Sequence, residues 1–107
     1  MTNTKQNKEL AERKKQKRLD KARERREKLG VTDTTDMHFH IKRVCYNPHN
    51  MSQEKAQRNV KLATKYYVDG WTLSDIGNLY DISDERVRQI VRLITYQIEK
   101  RLESESW

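Results

Sequence analysis

The stretch "GWTLSDIGNLYDISDERVRQIVRLI", Gly70 to Ile94, constrains this chain more than any other. It holds two short runs with apolar residues at three-four spacing, separated by a tight polar connection. In the first, Leu73, Ile76, Leu79 and Tyr80 form the apolar stripe of a helix of two to three turns. Thr72 is positioned to cap its start, with Asp75 three residues on in a capping-box arrangement. Gly77 costs a helix about 1 kcal/mol relative to alanine, so its presence inside the run predicts that another helix crosses closely there. Asp81-Ile82 is the turn and Ser83 the next N-cap. The second run begins at Asp84 and continues to about Leu102. Its stripe is Val87, Ile90, Val91, Ile94 and Ile98, and Leu102 ends it.

A third apolar-periodic segment precedes these two. Val60, Leu62, Ala63, Tyr66 and Tyr67 predict a helix from about Gln53 to Val68, with Ser52 at its start and Asp69-Gly70 at its end. The expected fold is therefore all-α: a small three-helix helix-turn-helix domain over residues 51–107. An arm over residues 1–30 and a linker over 31–50 precede it.

Charge separates these parts sharply. The chain of 107 residues carries a net charge of +7, and all of it lies between Lys5 and Lys28, where twelve Lys/Arg face five Asp/Glu. Residues 31–50 are neutral, with two charges of each sign, and so are residues 51–107, with nine of each. The arm has strong helix formers and no proline, and Gly30 is a stop signal. Its apolar residues, Leu10, Ala11, Leu19, Ala22 and Leu29, make no continuous stripe. It is expected to be a frayed helix or disordered until a partner orders it. Its clustered cations, Arg13, Lys14, Lys15, Lys17, Arg18, Arg23, Arg25 and Arg26, suit a polyanion or an acidic protein surface. The plainer alternative is a solvated tail.

Residues 31–50 alternate imperfectly (Met37, Phe39, Ile41), as a short extended piece would, and Asn47-Pro48 favours a turn. The expected role is a linker that tucks Phe39 and Tyr46 onto the domain. His38, His40, Cys45 and His49 invite a zinc reading, but their spacing fits no common site, so no metal and no cofactor is expected. One cysteine permits no internal disulfide, and no apolar run is long enough for a secretory signal or a membrane span. A cytoplasmic setting follows as the expectation. No nucleophile-base set or phosphate-cradling glycine loop is present, which points away from an enzyme.

A short helix, a tight turn and a longer helix with an outward Glu/Arg/Gln face have the spacing of a DNA-reading hairpin. Arginine and glutamine make two-pronged contacts to guanine and adenine edges, and glutamate accepts from cytosine. At this point a specific resemblance emerges. "TLSDIGNLYDISDERVRQI" resembles the helix-turn-helix of region four of the primary-class bacterial sigma factors, which reads the promoter −35 element. The matching residues are Thr72, Leu73, Ile76, Gly77, Ser83 and the run Glu85 to Ile90. The resemblance implies double-stranded promoter DNA and bacterial RNA polymerase core as partners, and a free-standing sigma-like factor of the kind a bacteriophage encodes.

Site roles carry over residue by residue. Leu73 would contribute backbone contacts to phosphate. Ser83, Asp84, Glu85, Arg86, Arg88, Gln89 and Arg92 would take the DNA-contacting places. Asp84 departs from the family, which usually has a base-reading arginine there. After Ile90 the chain gains apolar residues, so Leu93, Tyr96 and the terminal Trp107 are candidates for a polymerase-facing surface, with the tip of the β-subunit flap as the implied partner. Two other readings stand beside this one: a helix-turn-helix subunit for DNA packaging or recombination, and a polymerase-binding protein that does not itself read DNA.

Overall fold

The computed structural model describes residues 4–46 and 52–105, and over these the chain is helical, with no strand. Five helices follow in order: α1 (Thr4–Leu29), α2 (Thr34–Cys45), α3 (Gln53–Tyr67), α4 (Leu73–Tyr80) and α5 (Asp84–Glu105). The Asn47-Pro48 turn, His49 and Trp107 lie outside the described residues.

The last three helices form where the apolar spacing places them, and their ends have local causes. Ser52 Oγ accepts from the Lys55 amide, Thr72 Oγ1 from Asp75 and Ser83 Oγ from Arg86, so each helix starts on a side-chain cap. At the end of α4, Asp81 adopts the left-handed conformation (φ 55°, ψ 47°), and the Ile82 amide donates back to the Gly77 carbonyl. This is the geometry in which helices usually place glycine. Asp81→Gly is accordingly expected to stabilise the fold by about 0.5–1 kcal/mol, because glycine adopts this conformation without the Cβ penalty. A urea titration checks it through an upward shift of the midpoint at unchanged slope.

Gly77 is buried, and a Cβ there would stand 2.6 Å from the Ile82 carbonyl oxygen. The neighbour that excludes a side chain is the turn into α5 and not the crossing helix expected from the sequence. Leu79, assigned by spacing to the inner stripe of α4, is half exposed. An eight-residue helix buries only a narrow strip, and Ile76 and Gly77 fill it.

Residues 34–45 are a helix, not an extended linker piece. Asp33 caps it by accepting from the Thr35 and Asp36 amides, and Met37, His40, Ile41, Val44 and Cys45 are buried. Those five recur at three-four spacing, so the segment carries a helical period beside its imperfect alternation. The Asp33 cap and the apolar groove between α3 and α5 favour the helix. Phe39 and Tyr46 are exposed rather than tucked in, since in a helix Phe39 falls opposite Met37 and Ile41. Met37 and Ile41 instead join Leu62, Ile76, Val87 and Ile98 as the largest fully buried side chains.

The arm is also more ordered than its apolar content suggests. α1 ends at Gly30 (φ 91°), where the Val31 amide donates to the Arg26 carbonyl in a Schellman-type cap. Its principal packing partner is α3, through Ala22, Arg25, Arg26 and Leu29. Arginines complete the inner stripe where apolar residues run out. Arg25 donates to the Tyr66 and Trp71 carbonyls, both at 2.8 Å, and its guanidinium lies 3.9 Å from the Tyr66 ring centroid. Arg26, buried, donates to the Tyr67 carbonyl at 2.7 Å. The last carbonyls of α3 have no acceptor role left within the helix and carry its negative dipole end, so two guanidinium groups satisfy them both electrostatically and by hydrogen bonding.

Candidate nucleic-acid interface

The inner stripe of α5 is Val87, Ile90, Val91, Ile94 and Ile98, and burying it turns the rest of the helix outward. Asp84, Glu85, Arg86, Arg88, Gln89 and Arg92 are all exposed. Glu85, Gln89, Arg92 and Tyr96 follow one another at three-four spacing along the middle of this outer face. Arg88 flanks them on one side and Arg86 and Leu93 on the other. Two contacts organise the face: Arg88 pairs with Glu85 at 2.7 Å, and Arg86 lies 3.5 Å from the Gln89 side-chain oxygen. Both are exposed contacts between residues three apart. They stabilise the fold little and are readily exchanged for contacts to a ligand.

Asp84 and Glu85 occupy the first turn of α5, where the helix dipole favours an acid. Asp84 sits over Gly77 of α4, with Oδ1 3.4 Å from where a Cβ on Gly77 would stand. Ser83 is committed to its cap. Leu73, half buried, is the first residue of α4, and the opening amides of that helix have no intrahelical acceptor. Such amides are suited to a phosphate oxygen.

The fold also adds residues that the hairpin alone does not reveal. The start of α3 lies beside α5, forming a cleft of about 480 Å³ lined by Lys55, Arg58 and Asn59 from α3 and by Arg86, Gln89 and Leu93 from α5. Lys55, Arg58 and Arg86 bring three cations together there, and none of the residues lining the cleft is acidic. A charge count over residues 51–107 averages these cations against acids placed elsewhere. Only the pairing of α3 with α5 shows that the domain is locally basic beside its outward helix.

Leu93 and Tyr96 are more than half exposed. They border the α2–α5 side of the molecule, where Val44, Gln97, Lys100 and Arg101 line a shallower depression with Tyr96. On α1, Arg13, Lys14, Lys15, Lys17 and Arg18 are exposed, as is Arg23, which pairs with Asp20 and Glu27 along its own helix. Arg25 and Arg26 leave the outward basic set because their guanidiniums cap α3. Burial pushes Arg25 below its ordinary value, against the opposing pull of Tyr66, Tyr67 and Glu24. Arginine nonetheless stays charged.

Of the candidate zinc residues, His38, His40 and Cys45 lie among the described residues. Among the described residues no group of three His, Cys, Asp or Glu is placed to hold a metal ion. Cys45 is buried, and burial pushes its thiol up to about 11, which keeps it protonated as a small apolar filler. Among the described residues no helix is long and apolar enough to cross a membrane.

Residues 62–94 match the family model described as Sigma-70, region 4. Neither a curated protein nor a solved structure matches the chain. The matched span runs from the middle of α3 through α4 and the turn to Ile94 of α5. It therefore contains Thr72, Ser83 and the outward Glu85, Arg86, Arg88, Gln89 and Arg92 in their observed places. Over this span the chain carries a sigma region four-like domain, a helix-turn-helix of the DNA-binding kind.

Proposed function

We propose that this protein is a DNA-binding transcription protein, not an enzyme, that acts with bacterial RNA polymerase at promoters as an accessory or phage sigma-like factor. The observation that carries the reading is the coincidence of the family match at residues 62–94 with an α5 whose exposed face presents Glu85, Arg88, Gln89 and Arg92. In this reading α5 enters the major groove. Arg88 and Gln89 contact base edges, the first amides of α4 at Leu73 meet a phosphate, and Lys55 and Arg58 hold the backbone beside Arg86. Asp84 replaces a base-reading arginine of the family, so the preferred sequence differs from the family's −35 element at the base that residue would face. Leu93 and Tyr96 face the polymerase, with the β flap tip as the partner the family implies.

Two measurements test the two halves of this reading. The intact chain is expected to be retained on purified polymerase core at both low and high salt, and Leu93→Ala with Tyr96→Ala is expected to reduce that retention. Equal retention of the double variant would remove the assigned polymerase surface. On promoter DNA, Arg88→Ala and Gln89→Ala are each expected to weaken binding by about 1–3 kcal/mol, the usual loss of a two-pronged base contact. Binding to random-sequence duplex is expected to change far less for Gln89→Ala, which removes no charge.

A further inference from the structure

The face of α1 that docks on α3 does not stop where the domain ends. Leu29, Arg26, Arg25 and Ala22 form its docked part. The same face continues at three-four spacing through Arg18, Lys15, Lys14 and Ala11. There it overhangs the loop between α3 and α4 and encloses a cleft of about 430 Å³ with Asp69 and Trp71. Every residue from Lys8 to Leu19 is exposed. Between residues 8 and 18 stand six Lys/Arg and two Glu, a net charge of +4.

Three contacts set the direction of this segment. The Arg25 and Arg26 guanidiniums hold α1 to the end of α3. Gly70 lets the α1 backbone come so close that a Cβ there would overlap the Arg18 carbonyl. Arg18 lies 5.5 Å from the Trp71 ring centroid and 3.7 Å from Asp75. Trp71 directly precedes Thr72, the cap of α4, and the Lys65 ammonium lies 4.5 Å from the same ring centroid. The basic end of α1 is thereby brought beside the N-terminus of α4, which in a helix-turn-helix abuts the DNA backbone. Two acids temper the site: Asp69 is drawn to Lys65 at 3.9 Å and Asp75 to Arg18. Among the described residues, no acid forms an ion pair with Lys14 or Lys15.

We propose that α1 is a pre-oriented outrigger for double-stranded DNA, whose Lys14 and Lys15 bind backbone phosphates next to those met by the N-terminus of α4. This rests on the helix-turn-helix reading for the position of the duplex. It adds to the phosphate neutralisation by Lys55, Arg58 and Arg86, and it assigns that role to one face of the arm rather than to its total charge. Arg13 and Lys17 do not line the cleft with Asp69 and Trp71 and serve as the internal control.

The test is the salt dependence of binding of the full chain to a random-sequence DNA duplex, for the wild type, K14Q/K15Q and R13Q/K17Q. Each pair removes two charges. Two lost phosphate contacts make the slope of log K against log salt shallower by about 1.8. That change is expected for K14Q/K15Q, with a much smaller one for R13Q/K17Q, at unchanged urea midpoints. Equal changes in both variants would overturn the proposal, because the arm would then act as diffuse charge. An unchanged slope in K14Q/K15Q, with reduced retention on polymerase core, would overturn it in favour of an acidic protein partner. The variant R88A/Q89A separates this from the reading beneath it. If its sequence preference matches the wild type, the recognition-helix assignment fails, while the comparison of the two arm variants still decides the outrigger.

Discussion

Gly70→Ala is expected to destabilise the protein by about 2–4 kcal/mol, in the range that marks a specific structural conflict rather than an ordinary substitution. Two costs combine. The residue has φ 75°, a left-handed conformation that costs an alanine about 1 kcal/mol. Its added Cβ would also stand 1.6 Å from the Arg18 carbonyl oxygen and 2.4 Å from the carbonyl carbon, and backbone atoms of a helix cannot yield as a side-chain tip does. Relief requires α1 to move away from the α3–α4 loop. Gly30→Ala isolates the first cost: Gly30 also has positive φ (91°), but nothing lies within 4 Å of its added Cβ. It is expected to lose only about 1 kcal/mol. Urea midpoints compare the two, and hydrogen exchange locates the damage: Gly70→Ala should speed exchange over residues 8–22 of α1. Equal losses for both variants would mean that α1 is not seated on Gly70.

Ile41→Ala should be comparably severe. Ile41 is fully buried among α2, α3 and α5, and truncating such an isoleucine costs about 2–5 kcal/mol through lost transfer energy and the cavity left behind. Phe39, two residues earlier and larger, is 58% exposed, so Phe39→Ala is expected to stay within about 0.5 kcal/mol. The order is informative because an extended segment would put both side chains on one face and make both matter. Thermal or urea denaturation of the pair checks it. Similar losses for both would contradict a helical α2.

How far the fold could be read from the residues varies along the chain for physical reasons. In α3, α4 and α5, apolar spacing, side-chain caps and stop signals agree, so the helices, the turn at Asp81-Ile82 and the whole inner stripe of α5 are legible. In residues 34–45 two periods compete. His40 belongs to the helical period but does not count as apolar, while Phe39 strengthens the alternating one. In α1 the inner stripe contains Arg25 and Arg26, which a hydrophobicity count sends to solvent. Their reason for facing inward lies in unsatisfied carbonyls of another helix more than 40 residues away in the chain.

The interface shows the same division. The outward positions of Glu85, Arg88, Gln89 and Arg92 follow from the spacing of α5 alone. The contribution of Lys55 and Arg58 depends on how α3 lies beside α5, and the orientation of the arm depends on Gly70, whose positive φ is a local property but whose contact with Arg18 is not. Net charge by segment suggests that the domain is neutral and the arm basic. In three dimensions, cations collect at two places: beside Arg86 and Gln89 at the start of α3, and beside Trp71 at the start of α4. Both adjoin the helix-turn-helix, where the proposed function places backbone phosphate on either side of α5.

The most direct test of the central claim is selection of bound duplexes from a random-sequence pool by the intact protein together with bacterial polymerase core, repeated with R88A/Q89A. A short enriched sequence is expected that depends on the protein and is altered or lost in the variant. Enrichment of the same sequence by wild type and variant, or none by either while core is retained, would contradict a DNA-reading role for α5.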